Sequence, residues 1–175
     1  MNESVTSLIL IAATIIIGLV VFSFLGGYFT VQSAQVNDSK EAQVLSTSLQ
    51  VKQLVNQEGD ENYVVIYPFL KGYNGPLYVV AFSLSSFYSS SQNLITPAAP
   101  TFNGWVDING TPGKMENVKV YNTGDGVLYD GSMMIYTTSP NAVQFINFNQ
   151  GSTVMVWFLV NINGEMARIG YTILG

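Results

Sequence analysis

Cysteine and histidine are both missing from this 175-residue chain. Their absence excludes disulfides, thiol nucleophiles, the usual Cys/His zinc sites and imidazole acid–base chemistry. Charge is almost as scarce: charged residues make up 10% of the sequence, against ~25% in ordinary soluble proteins. The balance is 6 Lys+Arg to 11 Asp+Glu, with no basic cluster to neutralise phosphates, so no nucleic-acid partner is predicted. Catalysis would have to rest on carboxylates or a Ser/Lys pair, and no spacing announces either. The composition therefore points to no enzyme, no cofactor and no metal.

What the chain does have is a long apolar run. From Leu8 to Phe29 it reads LILIAATIIIGLVVFSFLGGYF, and no charged residue occurs between Glu3 and Asp38. About 20 apolar residues suffice to span a bilayer. The flanks are not those of a secretory signal or an ordinary anchor, because Met1-Asn2-Glu3-Ser4 supplies an acid and the first cation is Lys40. Beyond Phe29 the helical texture continues through QSAQVNDSKEAQVLSTSLQVKQLVNQ without proline or glycine. Val44, Leu45, Val51, Leu54 and Val55 recur at spacings of one helical face. The pattern predicts one helix from Ser4 to about Asn56, roughly 80 Å long. Gly18 and Gly26-Gly27 mark a kink, a melted turn or a close helix contact within it.

At Glu58 to Asn62 the texture changes. NYVVIYPF, PLYVVAFSL, TFNGWVDI, NVKVYN, GSMMIYTT, AVQFINF, TVMVWFLVNI and EMARIGYTIL are short runs rich in β-branched and aromatic residues. Turn signals separate them at Gly72 to Pro76, Asn109-Gly110, Asn122 to Gly126, Ser139-Pro140-Asn141 and Asn163-Gly164, the last predicting a type I′ hairpin. The expected fold class is α+β: residues 1–57 as a long N-terminal hydrophobic α-helix (apolar core or transient membrane segment 4–30, amphipathic continuation 31–57), then residues 58–175 as an all-β immunoglobulin-like sandwich head. The Ser-rich stretch from Ser83 to Pro100 is read as a loop.

The uncharged apolar segment close to the N-terminus, the acid Glu3 before it and the β-rich C-terminal part from Asn62 to Leu174 resemble archaeal type IV pilin-like subunits, the family of adhesive pili and archaella. The resemblance implies a structural subunit of an extracellular, cell-surface filament, membrane-inserted before assembly. It also implies a helical homopolymer as partner, with a prepilin peptidase that removes a basic leader (a class III signal peptide) and a membrane assembly platform. In such a filament the helices pack in the axis, so Leu8, Ile9, Ile11, Ile15, Ile16, Leu19, Val20, Phe22, Phe24, Leu25 and Phe29 are the expected core-packing residues. Glu3 is a candidate assembly acid, and equally a helix-start acid favoured by the macrodipole. The expected role is adhesion or surface attachment; the alternatives are an archaellin, driving swimming, and a membrane-anchored β-sandwich binding module.

Three sequons occur, at Asn2, Asn37 and Asn109. Asn109, in a predicted turn, is the favoured N-glycosylation site, followed by Asn37. Asp125 and Asp130 do not match a calcium loop and are read as turn chemistry. Trp105 and Trp157 are read as sandwich core rather than a sugar platform. Sequencing the N-terminus of the natural protein beside its gene tests the processing: a basic leader encoded by the gene and missing from the protein is expected, and an unprocessed N-terminus contradicts it.

Overall fold

The computed structural model describes residues 2–85, 95–123 and 126–175, excepting the side chains of residues 2–5, 31, 32 and 34–37. The described residues form one helix, α1 (Asn2–Ser48), and nine strands: β1 (Leu49–Glu58), β2 (Glu61–Leu70), β3 (Leu77–Leu84), β4 (Phe102–Trp105), β5 (Lys114–Asn122), β6 (Val127–Thr138), β7 (Gln144–Asn149), β8 (Thr153–Ile162) and β9 (Glu165–Leu174). An N-terminal apolar helix followed by a β-rich domain makes the chain α+β. Two compact units divide it, residues 1–38 and Ser39–Gly175, so the second unit takes in the last turns of α1.

The expectation of a helix to Asn56 is corrected: α1 stops at Ser48, and residues 49–58 are a strand. Val51, Leu54 and Val55 fit a helical face, whereas Leu49, Val51 and Val55 fall on one face of a strand, and the strand prevails because β2 offers partners. Leu49 stands opposite Leu70, Val51 opposite Pro68 and Val55 opposite Val64. The Ser46-Thr47-Ser48 cluster ends the helix without glycine or proline. Thr47 Oγ1 donates to the Val44 carbonyl (2.8 Å) and Ser48 Oγ to that of Leu45 (3.0 Å), side-chain bonds that compete with continuing the helix. The expected boundary at residue 57/58 moves accordingly. At Gly18 and Gly26-Gly27 the helix runs on unbroken, and Thr30 Oγ1 donates to the Gly26 carbonyl at 2.9 Å.

All eight sequence-predicted strands form. β1, β2 and β7 make a three-stranded antiparallel sheet. The other six strands form the order β4-β3-β6-β5-β9-β8, and β3 pairs with β8 along its whole length. That last ladder closes β3, β6, β5, β9 and β8 into a ring, with β5–β9 its one parallel step. Closure on one side and the three-stranded sheet on the other leave β3 and β8 buried on both faces, which is why TVMVWFLVNI reads as a continuous apolar run and not an alternating one.

The two faces of these strands fill two cores. Met155, Trp157 and Leu159 of β8 join Val80 and Phe82 of β3 and Met133 of β6 inside the ring. There Phe82 meets Trp157 edge to face, with centroids 5.5 Å apart, the arrangement ring quadrupoles favour. Val154, Val156, Phe158 and Val160 face the other way, against Val64, Ile66 and Ile146 of the three-stranded sheet. Ala42 and Leu45 of α1 are buried in this second core. Asn109, Gly110, Asn163 and Gly164 all have positive φ, as type I′ turns require. Pro68, lacking an N–H, sits where β2 has outrun β7, whose pairing ends at Ile66.

Amide hydrogen exchange tests the strand assignment of residues 49–58. β1 is an edge strand, so its amides should alternate between protected and fast-exchanging. Uniform protection across the stretch contradicts it.

Candidate functional site

Thr6–Thr30 is 25 residues long with a mean hydropathy of 3.0, and none of it is buried within its own unit. Leu8, Ile9, Ile11, Ile15, Ile16, Leu19, Val20, Phe22, Phe24, Leu25 and Phe29, the residues expected to pack in a filament axis, are all exposed. Their apolar character runs all round the helix, where a helix lying on a soluble core has one apolar stripe. Gly18, Gly26 and Gly27 have nothing within 4 Å of where a Cβ would stand, so each leaves room against the backbone. Hydroxyls inside the run bond back to the helix itself: Thr14 Oγ1 donates to the Leu10 carbonyl at 2.8 Å, as Thr30 Oγ1 does to that of Gly26. Such a surface can only be covered by lipid or by protein from outside its own unit. The side chains of Glu3 and Asn37 lie outside the described residues, as does Asp125.

Asn109 is a structural clamp. Its Nδ2 donates to Gln144 Oε1 at 3.0 Å, and its Oδ1 accepts from the Phe145 N–H at 2.8 Å. A glycan on Asn109 would share the nitrogen that makes the first of these bonds. Gln144 is buried and donates from Nε2 to Thr138 Oγ1 (2.8 Å) and to the Ala142 carbonyl (3.1 Å). Three segments are thereby tied to one carboxamide: the 108–111 turn, the end of β6 and the start of β7.

The outer face of the three-stranded sheet was not anticipated. Leu54 on β1, Val65 on β2 and Phe145 on β7 stand in one row across the strands, with Leu54 73% and Phe145 56% exposed. Tyr63, next along β2, donates its hydroxyl to Glu61 Oε2 at 2.6 Å, and Asn147 Nδ2 donates to the same oxygen at 2.9 Å. These two bonds, that from Tyr63 foremost, hold the Glu61 carboxyl below the usual carboxylate range. Beside Phe145 a cavity of about 120 Å³ opens among Tyr63, Val65, Asp107, Gly110 and Asn147. A signal for this face was present in the sequence: ENYVVIYPFL alternates apolar with apolar, so β2 has no polar side. The Leu54 half was hidden by the helical reading of β1.

Arg168 is the buried cation of the head. Its guanidinium lies 5.1 Å from the Trp157 ring and 5.2 Å from that of Tyr171, and Nη2 donates to Asn122 Oδ1 at 3.2 Å. Burial pulls its pKa down to about 10, still far above neutrality, so it stays charged between two aromatic faces. Trp157 is fully buried and Trp105 meets Phe82 and Phe102 edge to face, so both tryptophans serve packing, as expected. Asp130 stands opposite Lys119 in the β5–β6 ladder. Among the described residues no three Asp or Glu side chains gather as a metal site.

Gln144→Leu removes the acceptor of Asn109 and the donor to Thr138 from a buried position. A loss of about 1–3 kcal/mol is expected, read as a lower urea midpoint; an unchanged midpoint contradicts the clamp. Compared with known proteins, the chain matches no family model, no curated protein and no solved structure.

Proposed function

We propose that this chain is the structural subunit of an extracellular filament of the archaeal type IV pilus kind, polymerising through α1 and serving surface attachment. The observation that carries the reading is the uncovered run Thr6–Thr30, apolar all round and continuous with a helix whose last turns are fixed in the head by Ala42 and Leu45. Burying one large apolar side chain is worth ~1.5–3 kcal/mol. Copies packed helix against helix would bury more than a dozen of them each, well beyond an association cost of ~4–15 kcal/mol. A contact of this kind, repeated without closure, gives an open helical polymer.

In this reading the subunit resides in the membrane before assembly, after a peptidase has removed a basic leader and while an assembly platform handles it. Glu3 is the assembly acid and Asn109 and Asn37 are the sites for sugar. The head is an immunoglobulin-like sandwich in the broad sense: two sheets packed face to face through alternating residues, here with the larger sheet closed on itself. An archaellin is the same subunit chemistry coupled to a rotary motor. The length of Thr6–Thr30 also suits a permanent anchor for a binding module, and that reading calls for membrane-extracted monomers.

Ile16→Asp places a charge in the proposed axis. Loss of filaments from sheared cells is expected, by electron microscopy, because an unpaired buried charge is prohibitive. Undiminished filament yield contradicts the axial packing.

A further inference from the structure

The outer face of the β1-β2-β7 sheet carries a projection and a hole. Leu54 is the projection, the most exposed large apolar side chain of the head among the described residues. The hole is the cavity of about 120 Å³ beside Phe145, roomy enough for a branched aliphatic side chain. They lie in the same cross-strand row, two strands apart, hence about 10 Å. Leu54 therefore cannot fill the hole of its own head.

Charge repeats the match. Lys52 is the outward neighbour of Leu54 on the same face of β1, and it is exposed. Asp107, exposed, stands on the rim of the hole, with one carboxylate oxygen accepting from the Tyr136 hydroxyl at 3.3 Å. The other charges of this face are Glu58 and Glu61 at the hairpin end, and Glu61 is already held by Tyr63 and Asn147. A cation beside an apolar knob and an anion beside an apolar socket fit two copies of one surface.

Resting on the filament reading above, we propose that this face is a contact between heads, in which Leu54 of one copy enters the Phe145 cavity of a second copy and Lys52 of the first meets Asp107 of the second. A knob and a pocket at different places on one molecule make self-association between copies. β1 follows α1 without an intervening loop, so the helix that polymerises leads directly into the strand that carries the knob. The open edge of β1, which pairs with no further strand among the described residues, lies beside this contact.

The absence of cysteine makes the test clean. Two differently tagged full chains, one with Leu54→Cys and one with Asn147→Cys, are co-expressed, and assembled material is treated with a short bis-maleimide. A covalent product joining the two tags, exceeding either same-tag product, is the expected result. Intact filaments without that product overturn the proposal and leave the filament reading standing. A wild-type chain that forms no filaments at all overturns that reading itself. Lys52→Asp or Asp107→Lys, each carried by both chains, should lower the joined fraction about fivefold, and the two changes together should restore it; failure of the double change to restore it contradicts the pairing. Filaments that lack the product and are retained on a polysaccharide until Phe145→Ala releases them would assign the face to a glycan instead.

Discussion

Twenty-five consecutive residues, Thr6–Thr30, present an apolar surface that nothing in their own unit buries. In water each large side chain of that run stands ~1.5–3 kcal/mol above its buried state. Summed over the run, the penalty exceeds the whole net stability of an ordinary domain, about 5–15 kcal/mol. A surface of this kind calls for cover from outside its own unit, and in the proposed reading lipid and then other copies supply it. The near absence of charge from Glu3 to Asp38 follows from the same constraint, since an ionised side chain in either surrounding would have to be paired or neutralised.

The head is built so that this helix has a firm end. Ala42 and Leu45 enter the core between the two sheets, and Leu49, the first residue of β1, packs on the same cluster. Leu49 approaches Gly170 so closely that a Cβ there would stand 2.5 Å from its Cδ2. The hydroxyls of Thr47 and Ser48 take the last-turn carbonyls, and the backbone passes straight into the β1–β2 hairpin. Behind that junction, ring closure buries one face of β3 and β8 and the three-stranded sheet buries the other, which gives the head its cohesion without a disulfide. The Asn109–Gln144 clamp holds the 108–111 turn against β7, and thereby fixes one wall of the cavity beside Phe145.

Much of this was legible in the residues. Eight strands followed from β-branched and aromatic runs between Gly, Pro and Asn punctuation, and Asn163-Gly164 turned where its chemistry demands. β1 was not legible, because Val51, Leu54 and Val55 continue the helical period of Val44 and Leu45, while Leu49, Val51 and Val55 equally fall on one face of a strand. Only the partnership with Val64, Pro68 and Leu70, a tertiary fact, decides between them. Ring closure was hidden for the same reason, since the β3–β8 ladder joins residues some 70 to 80 positions apart. Of the candidate site, the helix residues were plain from hydropathy. The outer sheet face required knowing that Leu54, Val65 and Phe145 share a row.

The central claim is that copies of the same chain cover Thr6–Thr30 once the protein has left the membrane. A nitroxide spin label on Leu19→Cys, examined in lipid-free assembled material, tests it most directly. The account predicts strong dipolar broadening from neighbouring copies, relieved by diluting the labelled chain with unlabelled chain. A narrow spectrum independent of dilution, obtained only from lipid- or detergent-bound chain, would contradict it.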